Sequence, residues 1–190
     1  SDDTPLVLND SPFEGGTDAA IVADGGRPSI ETASTLHRVT GTDGADIVAL
    51  GDDAAIVEAG AGDDQLYAGD GTAILSGGDG NDTLVGGNDT GSDYLLDGGL
   101  GDDTLVGGDA AELLIGGAGA DILSGGAGDD TLVLDAFDAA EGGAGVDTFW
   151  VYEASENGAD VAQISDFEQG VDILRVSMPA TSDLGEDTSV

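Results

Sequence analysis

The sequence predicts an all-β fold, a parallel solenoid of two sheets with a cap at each end. Three observations carry this expectation. A nine-residue pattern recurs between residues 41 and 150. After its glycine-rich turn, each copy leaves room for only a three-residue strand. The chain sets 40 Asp and Glu against 3 Lys and Arg, for a net charge of −37, and most copies carry one acidic residue at the same phase. Such a charge with 4% aromatic residues otherwise argues for an acidic disordered chain. The fixed phase argues instead for carboxylates that cations neutralise.

The 190-residue length fits one domain with a small appendage. The acidic balance excludes a nucleic-acid binder, which needs a basic footprint, and disfavours docking on anionic lipid. The absence of Cys excludes a disulfide scaffold, a thiolate zinc site and a Cys nucleophile. No apolar run approaches about 18 residues, so no membrane span is expected. There is neither an initiating Met nor a basic-then-apolar leader, which reads as an excised fragment.

The units run in order along the chain. Residues 77–85, 98–106, 116–124, 125–133 and 142–150 match G-G-x-G-x-D-x-U-x, where U is a large apolar residue. Weaker copies fill the gaps in phase. Residues 41–49 have Asp46 and Val48 in the key places, and 59–67 have Asp64 and Leu66. Residues 50–58 and 68–76 keep Val57 and Leu75 but carry Ala55 and Ala73 at the acidic place. Residues 86–97 form a twelve-residue unit aligned on Asp93 and Leu95, and 107–115 align on Glu112 and Leu114. Residues 134–141 hold the phase poorly and lack the glycines.

Each unit reads as a turn followed by a strand. Glycine admits positive φ without a Cβ clash, and such a turn aims successive carbonyl oxygens to one side. The acidic residue adds a carboxylate at its end. Hard oxygen donors of this kind suit Ca²⁺, which takes about 6–8 of them. The middle strand residue points opposite to its neighbours. That predicts an interior row of Val48, Val57, Leu66, Leu75, Leu84, Leu95, Leu105, Leu114, Leu123, Leu132 and Phe149.

Two successive units make one coil, with a turn on each flank, and turns 18 residues apart stack. A cation between stacked turns takes one carboxylate from each. One flank carries Asp46, Asp64, Asp82, Asp103 and Asp121. The other begins with Ala55 and Ala73, then carries Asp93, Glu112, Asp130 and Asp147. Cations are therefore expected along the whole first flank and only from Asp93 onward on the second. Adjacent pairs give about seven Ca²⁺, on the ligand chemistry of that ion. Folding is expected to be weak without metal, because binding then supplies folding free energy.

The nonapeptides resemble those of the RTX (repeats-in-toxin) family. The segment Ile164-Ser165-Asp166-Phe167-Glu168-Gln169-Gly170-Val171-Asp172-Ile173-Leu174 is similar to one that often follows such arrays in secreted exoproteins. Repeats and segment together span about two thirds of the chain. The resemblance implies a right-handed parallel β-roll. It implies sites that take the carbonyls of positions two and four and the Asp of one turn, with the carbonyls of positions one and three and the Asp of the next. One site is then Gly60, Gly62 and Asp64 with Gly77, Asp79 and Asp82. Another is Gly126, Gly128 and Asp130 with Gly142, Ala144 and Asp147. The same carry-over adds Gly78, Gly80, Gly98, Gly99, Gly101 and Gly116 on the first flank. It further implies export from a Gram-negative bacterium by the type I secretion machinery, with folding outside the cell in millimolar calcium.

Residues 1–40 lack the repeat and are expected to form an N-terminal cap or linker. Leu6 to Leu8, Ala19 to Ala23 and Leu36 to Val39 read as short strands. Residues 151–178 read as the opposite cap, with Phe149, Trp150, Val151, Tyr152 and Phe167 as a small core, and 179–190 as a flexible tail. Outward positions Tyr94, Leu96, Leu113, Ile115, Val133 and Trp150 form an apolar stripe, packed by the chain ends or by a neighbouring domain or partner. No catalysis is expected. His37 is the single histidine, so H-E-x-x-H is impossible, and G-x-S-x-G is absent. The expected role is a calcium-folded extracellular module assisting the protein it is joined to. An adhesion module using the stripe is the alternative.

Overall fold

The computed structural model describes residues 6–7, 20–23, 29–33, 36–51, 54–152 and 162–177. Among these residues there is no helix. The glycine turns interrupt the chain every few residues, too often for a helix but often enough for short strands. The first sheet runs, in spatial order, β1 (Leu6–Val7), β2 (Ala20–Ala23), β5 (Asp46–Ala49), β7 (Gln65–Tyr67), β9 (Thr83–Val85), β11 (Thr104–Gly108), β13 (Ile122–Ala127), β15 (Ala139–Ala144) and β17 (Gln163–Ile164). The second runs β3 (Ser29–Ala33), β4 (Leu36–Thr40), β6 (Ala55–Ala61), β8 (Ala73–Asp79), β10 (Tyr94–Leu100), β12 (Glu112–Ala118), β14 (Thr131–Leu134), β16 (Thr148–Tyr152) and β18 (Ile173–Ser177).

From β4 onward, strands two apart pair in parallel, which makes a β-roll of about 6 turns. The pairs β1–β2, β2–β5 and β3–β4 are antiparallel. The parallel ladder therefore gives way to antiparallel strands at its N-terminal end. Beyond residue 150 both sheets gain one further strand, β17 and β18. Leu8, Ala19 and residues 179–190 lie outside the described residues.

The alternation of each strand sets the interior. Val48, Leu66, Leu84, Leu105 and Leu123 from the first sheet meet Val57, Leu75, Leu96, Leu114, Leu132 and Phe149 from the second in one buried cluster. One large side chain per short strand makes a thin core, which offsets little of the ordering cost of the turns.

The twelve-residue unit departs from the expected alignment. Tyr94 pairs with Ala73 and Glu112, and Leu96 pairs with Leu75 and Leu114. Tyr94 and Leu96 are buried, while Leu95 is only partly buried and Asp93 is exposed. Leu95 thus yields its interior place to Leu96, Asp93 is not the acidic position, and Tyr94 and Leu96 leave the outward stripe. The reason is the period of two: a slip of one residue exchanges the faces. This register buries two large side chains and leaves the Asp93 charge in water. Leu113, Ile115 and Val133 face outward, half-buried. Trp150 also faces outward, and it stacks on Tyr152 with ring centroids 5.6 Å apart. These two rings therefore do not join the small C-terminal core, where Phe149 and Phe167 lie 6.1 Å apart.

Candidate metal centre

The turns on the first flank carry the chain from the second sheet into the first. Each ends on an acidic residue that opens the next strand. In four consecutive first-flank turns, and in two on the second flank, the second and fourth residues are glycines with positive φ: Gly60 and Gly62, Gly78 and Gly80, Gly99 and Gly101, Gly117 and Gly119, Gly126 and Gly128, Gly143 and Gly145. No L side chain takes these angles without strain. They are also packed from the neighbouring coil. A Cβ on Gly78 would run into the carbonyl oxygen of Gly60, and one on Gly80 into that of Gly62. The second and fourth carbonyls of one turn thus face the next turn, as the carry-over from the family requires. The third carbonyls, of Asp79 and Ala144, each accept one N–H, from Gly62 (2.7 Å) and Gly128 (2.8 Å), and keep a second lone pair.

The buried carboxylates form a ladder. Asp64 Oδ1 accepts the Asp46 N–H (2.6 Å), Asp82 Oδ1 that of Asp64 (2.8 Å), Asp103 Oδ1 that of Asp82 (2.7 Å), and Asp121 Oδ1 that of Asp103 (2.8 Å). On the second flank, Asp130 accepts from Glu112 (2.8 Å) and Asp147 from Asp130 (3.0 Å). One oxygen of each carboxylate is thereby used. The other, Oδ2 of Asp64, Asp82, Asp103, Asp121 and Asp130, and Oδ1 of Asp46, is buried with no hydrogen-bond partner. An unpaired buried carboxylate oxygen is costly.

The free Oδ2 of Asp82, Asp103, Asp121 and Asp130 borders the turn that its own residue closes, whereas Asp46 gives its Oδ2 to the Thr42 N–H (2.7 Å) and its free oxygen is Oδ1, the oxygen that the other residues use in the ladder. A Cβ on Gly77, Gly98, Gly116 or Gly142 would meet the second carboxylate oxygen of Asp82, Asp103, Asp121 or Asp147. Above Gly98 that space is also bordered by the carbonyl of Gly116, the first residue of the next turn, and above Gly125 by the carbonyl of Gly142. The space between stacked turns is therefore lined by carboxylate and carbonyl oxygens, a hard donor set that fits Ca²⁺. Among the described residues no three His, Cys, Asp or Glu side chains converge, so the donors must be mixed carboxylate and backbone.

Burial pushes the carboxyls of Asp64 and Asp121 up to about 7 and that of Asp103 up to about 6. The ladder N–H opposes this, and neighbouring carboxylates reinforce it. Asp82, Asp130 and Asp147 are raised for the same first cause. Near neutral pH the carboxyls of Asp64 and Asp121 are poised between proton and cation.

The second flank differs more than its sequence suggests. Ala55, Ala73 and Tyr94 occupy its first three acidic places. Glu112 follows, but its Oε1 accepts the Ala110 N–H and its Oε2 the Gly108 N–H, both at 3.1 Å. The longer side chain closes its own turn, which lacks the positive-φ glycine pair. Of the second-flank candidates, Asp130 and Asp147 are brought together with Gly126, Gly128 and Gly142; Asp93 is not.

The sequence reading missed three carboxylates. Asp138 is fully buried and accepts the Asp121 N–H (2.9 Å), extending the first-flank ladder. Its 17-residue step repeats that from Asp130 to Asp147, but the interior residue two further on is the small Ala140, which a search for large apolar residues passes over. Asp172 accepts from Asp147 (3.1 Å) and Glu168 (2.7 Å). Asp166 accepts from Gly142 (3.0 Å) and Gly143 (2.7 Å). Both lie in the segment after the array, and they close its last turn.

Comparison with known proteins agrees with this geometry. The family model of the RTX calcium-binding nonapeptide repeat matches residues 40–75, 51–84, 58–95, 89–110, 97–132 and 106–139. Together these windows cover residues 40–139, more than half of the chain. No curated protein matches the chain.

Proposed function

This chain belongs to the family of RTX calcium-binding nonapeptide repeats, and from that premise we propose that it is a module that folds on calcium outside the cell, aiding type I secretion and folding of a protein joined to it. Bound calcium supplies the positive charge that lets facing carboxylates stack. The single observation that carries this reading is the row of six buried carboxylate oxygens without a partner.

The five free Oδ2 atoms, of Asp64, Asp82, Asp103, Asp121 and Asp130, support one ion each in the gap beyond their own turn, so we place five ions rather than about seven; Asp46 gives its Oδ2 to the Thr42 N–H instead. Four lie on the first flank, between consecutive residues of the series Asp64, Asp82, Asp103, Asp121 and Asp138. One lies on the second flank, between Asp130 and Asp147. Residues 1–40 and 151–178 act as caps. Extracellular folding is supported by the thin core, the charge of −37 and the absence of Cys: the chain stays open where calcium is scarce and needs no oxidation to close.

The test is a circular dichroism titration from EDTA into millimolar Ca²⁺, with Mg²⁺ as control and calorimetry to count ions. A cooperative coil-to-β transition specific to Ca²⁺, with about five ions taken up, is the expected result on the oxygen chemistry of that ion. A fully folded, metal-free chain in EDTA at neutral pH overturns the proposal.

A further inference from the structure

The turns of the second flank at residues 68–73 and 86–94 stack without a carboxylate at the ladder place. Four side-chain and backbone contacts join them instead. The Tyr94 hydroxyl donates to the Gly69 carbonyl (3.1 Å), and the Ser92 hydroxyl, which also lies 3.1 Å from Asp89 Oδ2 within its own turn, donates to the Asp70 carbonyl (2.9 Å). The Ala73 N–H donates to the Asp93 carbonyl (3.2 Å), and the Asp93 N–H donates to Thr72 Oγ1 (3.4 Å). The carbonyls of Gly69 and Asp70 are the second and third of their turn, the class of oxygen that faces the gap on the first flank. Tyr94 is buried at the place of the acidic residue, and a Cβ on Gly87 would meet both its hydroxyl and the Gly69 carbonyl. No glycine in either turn takes positive φ. The three-residue insertion thus has a use: it brings Ser92 and Tyr94 back over the preceding turn.

We propose that Tyr94, with Ser92, is a built-in substitute for a cation, a clamp that closes this pair of turns by hydroxyl donors and keeps calcium out of it. The inference rests on the reading of the other turns as calcium sites. Its chemistry is a replacement of like by like. A cation neutralises carbonyl and carboxylate oxygens that face one another. Here the ladder carboxylates are gone, replaced by Ala73 and Tyr94, and two O–H donors satisfy the Gly69 and Asp70 carbonyls. The roll then has one flank tied by metal from Asp64 onward and a second flank whose early turns hold their stacking whatever the calcium level.

Two measurements on the calcium-loaded chain test this. Anomalous diffraction from crystals in which a lanthanide replaces calcium is expected to place ions between the first-flank turns and none against the Gly69 and Asp70 carbonyls. Hydrogen exchange is expected to show the Ala73 amide opening about tenfold faster in Tyr94→Phe and in Ser92→Ala, the effect of one lost buried hydrogen bond, with the number of bound calcium ions unchanged. An ion coordinated by Gly69 or Asp70, or unchanged exchange at Ala73 in both variants, overturns the clamp. Absence of ions from every turn overturns the calcium reading instead, and the exchange result still judges the clamp.

Discussion

Replacing Asp64 by Asn has opposite effects with and without calcium, and the crossing is the sharpest test of the ladder. Asp64 is buried, its Oδ1 accepts the Asp46 N–H, its own N–H donates to Asp82, and its Oδ2 has no partner. Asn keeps the Oδ1 acceptor and removes the charge. With calcium, the free Oδ2 of Asp64 faces one proposed ion, in the gap toward Asp82. A site held at a hundred times its dissociation constant stabilises by about 2.7 kcal/mol. Its loss therefore costs about 2.7 kcal/mol and lowers the calcium count by about one. Without calcium the sign reverses. Burial raises the Asp64 carboxyl from 3.8 to about 7. A carboxyl raised in the folded state contributes stability that is present below its unfolded value and lost as pH rises through the folded one. At about 1.36 kcal/mol per pH unit, the ionised group costs the metal-free fold up to about 4 kcal/mol above pH 7, and about 2 kcal/mol once water at the turn screens it. The assay is folding in EDTA at pH 8 driven by trimethylamine N-oxide, which favours burial, beside calorimetry in calcium. Asp64→Asn is expected to need less osmolyte in EDTA and more calcium otherwise, with the osmolyte difference gone below pH 4. A variant that binds as many ions as the parent, or that needs more osmolyte in EDTA, refutes the reasoning.

Acid is expected to fold the metal-free chain in part. Circular dichroism in EDTA gains β signal below about pH 4 and loses it as pH rises through the 6 to 7 range of Asp64, Asp103 and Asp121, while the calcium midpoint rises as pH falls through that range. Gly78→Ala combines positive φ with a collision against the Gly60 carbonyl; thermal unfolding in calcium is expected to show a loss of more than about 2 kcal/mol, whereas Gly91→Ala, whose Cβ would meet only the Asp89 carboxylate at ordinary van der Waals distance, stays within about 0.5 kcal/mol. Leu84→Ala, in the middle of the core row, is expected to cost about 2–5 kcal/mol and to raise the calcium midpoint with no change in ion count by calorimetry.

The sequence disclosed the fold wherever the nine-residue step is kept. Leu66, Leu75, Leu84, Leu105, Leu114, Leu123 and Leu132 are all in the core row, because the repeat fixes both the turn and the parity of the strand after it. It misled where the step changes. In the twelve-residue unit the chain offers two registers, Asp93 with Leu95 or Tyr94 with Leu96, and local matching to an acidic residue favours the first. The choice is made by neighbours 21 and 18 residues away, Ala73 and Glu112, which no local pattern contains. Glu112 was legible as a residue at the acidic place but not in its use, since one extra methylene lets its carboxylate reach two amides of its own turn.

The same distinction separates carboxylates that need a cation from those that do not. At the C-terminal end, Asp138 gives its two oxygens to the N–H groups of Asp121 and Asp135, Asp172 to those of Asp147 and Glu168, and Asp166 to those of Gly142 and Gly143. Two amide donors do for each of these groups what one amide and a cation do inside the array. A cation between turns draws on the turn that follows as well as the one that precedes. The last turn has no full repeat after it, so a fully amide-bound carboxylate is the form in which the ladder can stop. An acidic residue in phase therefore does not by itself mark a metal site in this chain. The mark is an acidic residue in phase whose Oδ2 is buried and reached by no amide, and by that criterion the proposed ions run from Asp64 to Asp121 on one flank and stop at Asp130 on the other, the last of each facing a turn closed by the next residue of the ladder, Asp138 or Asp147.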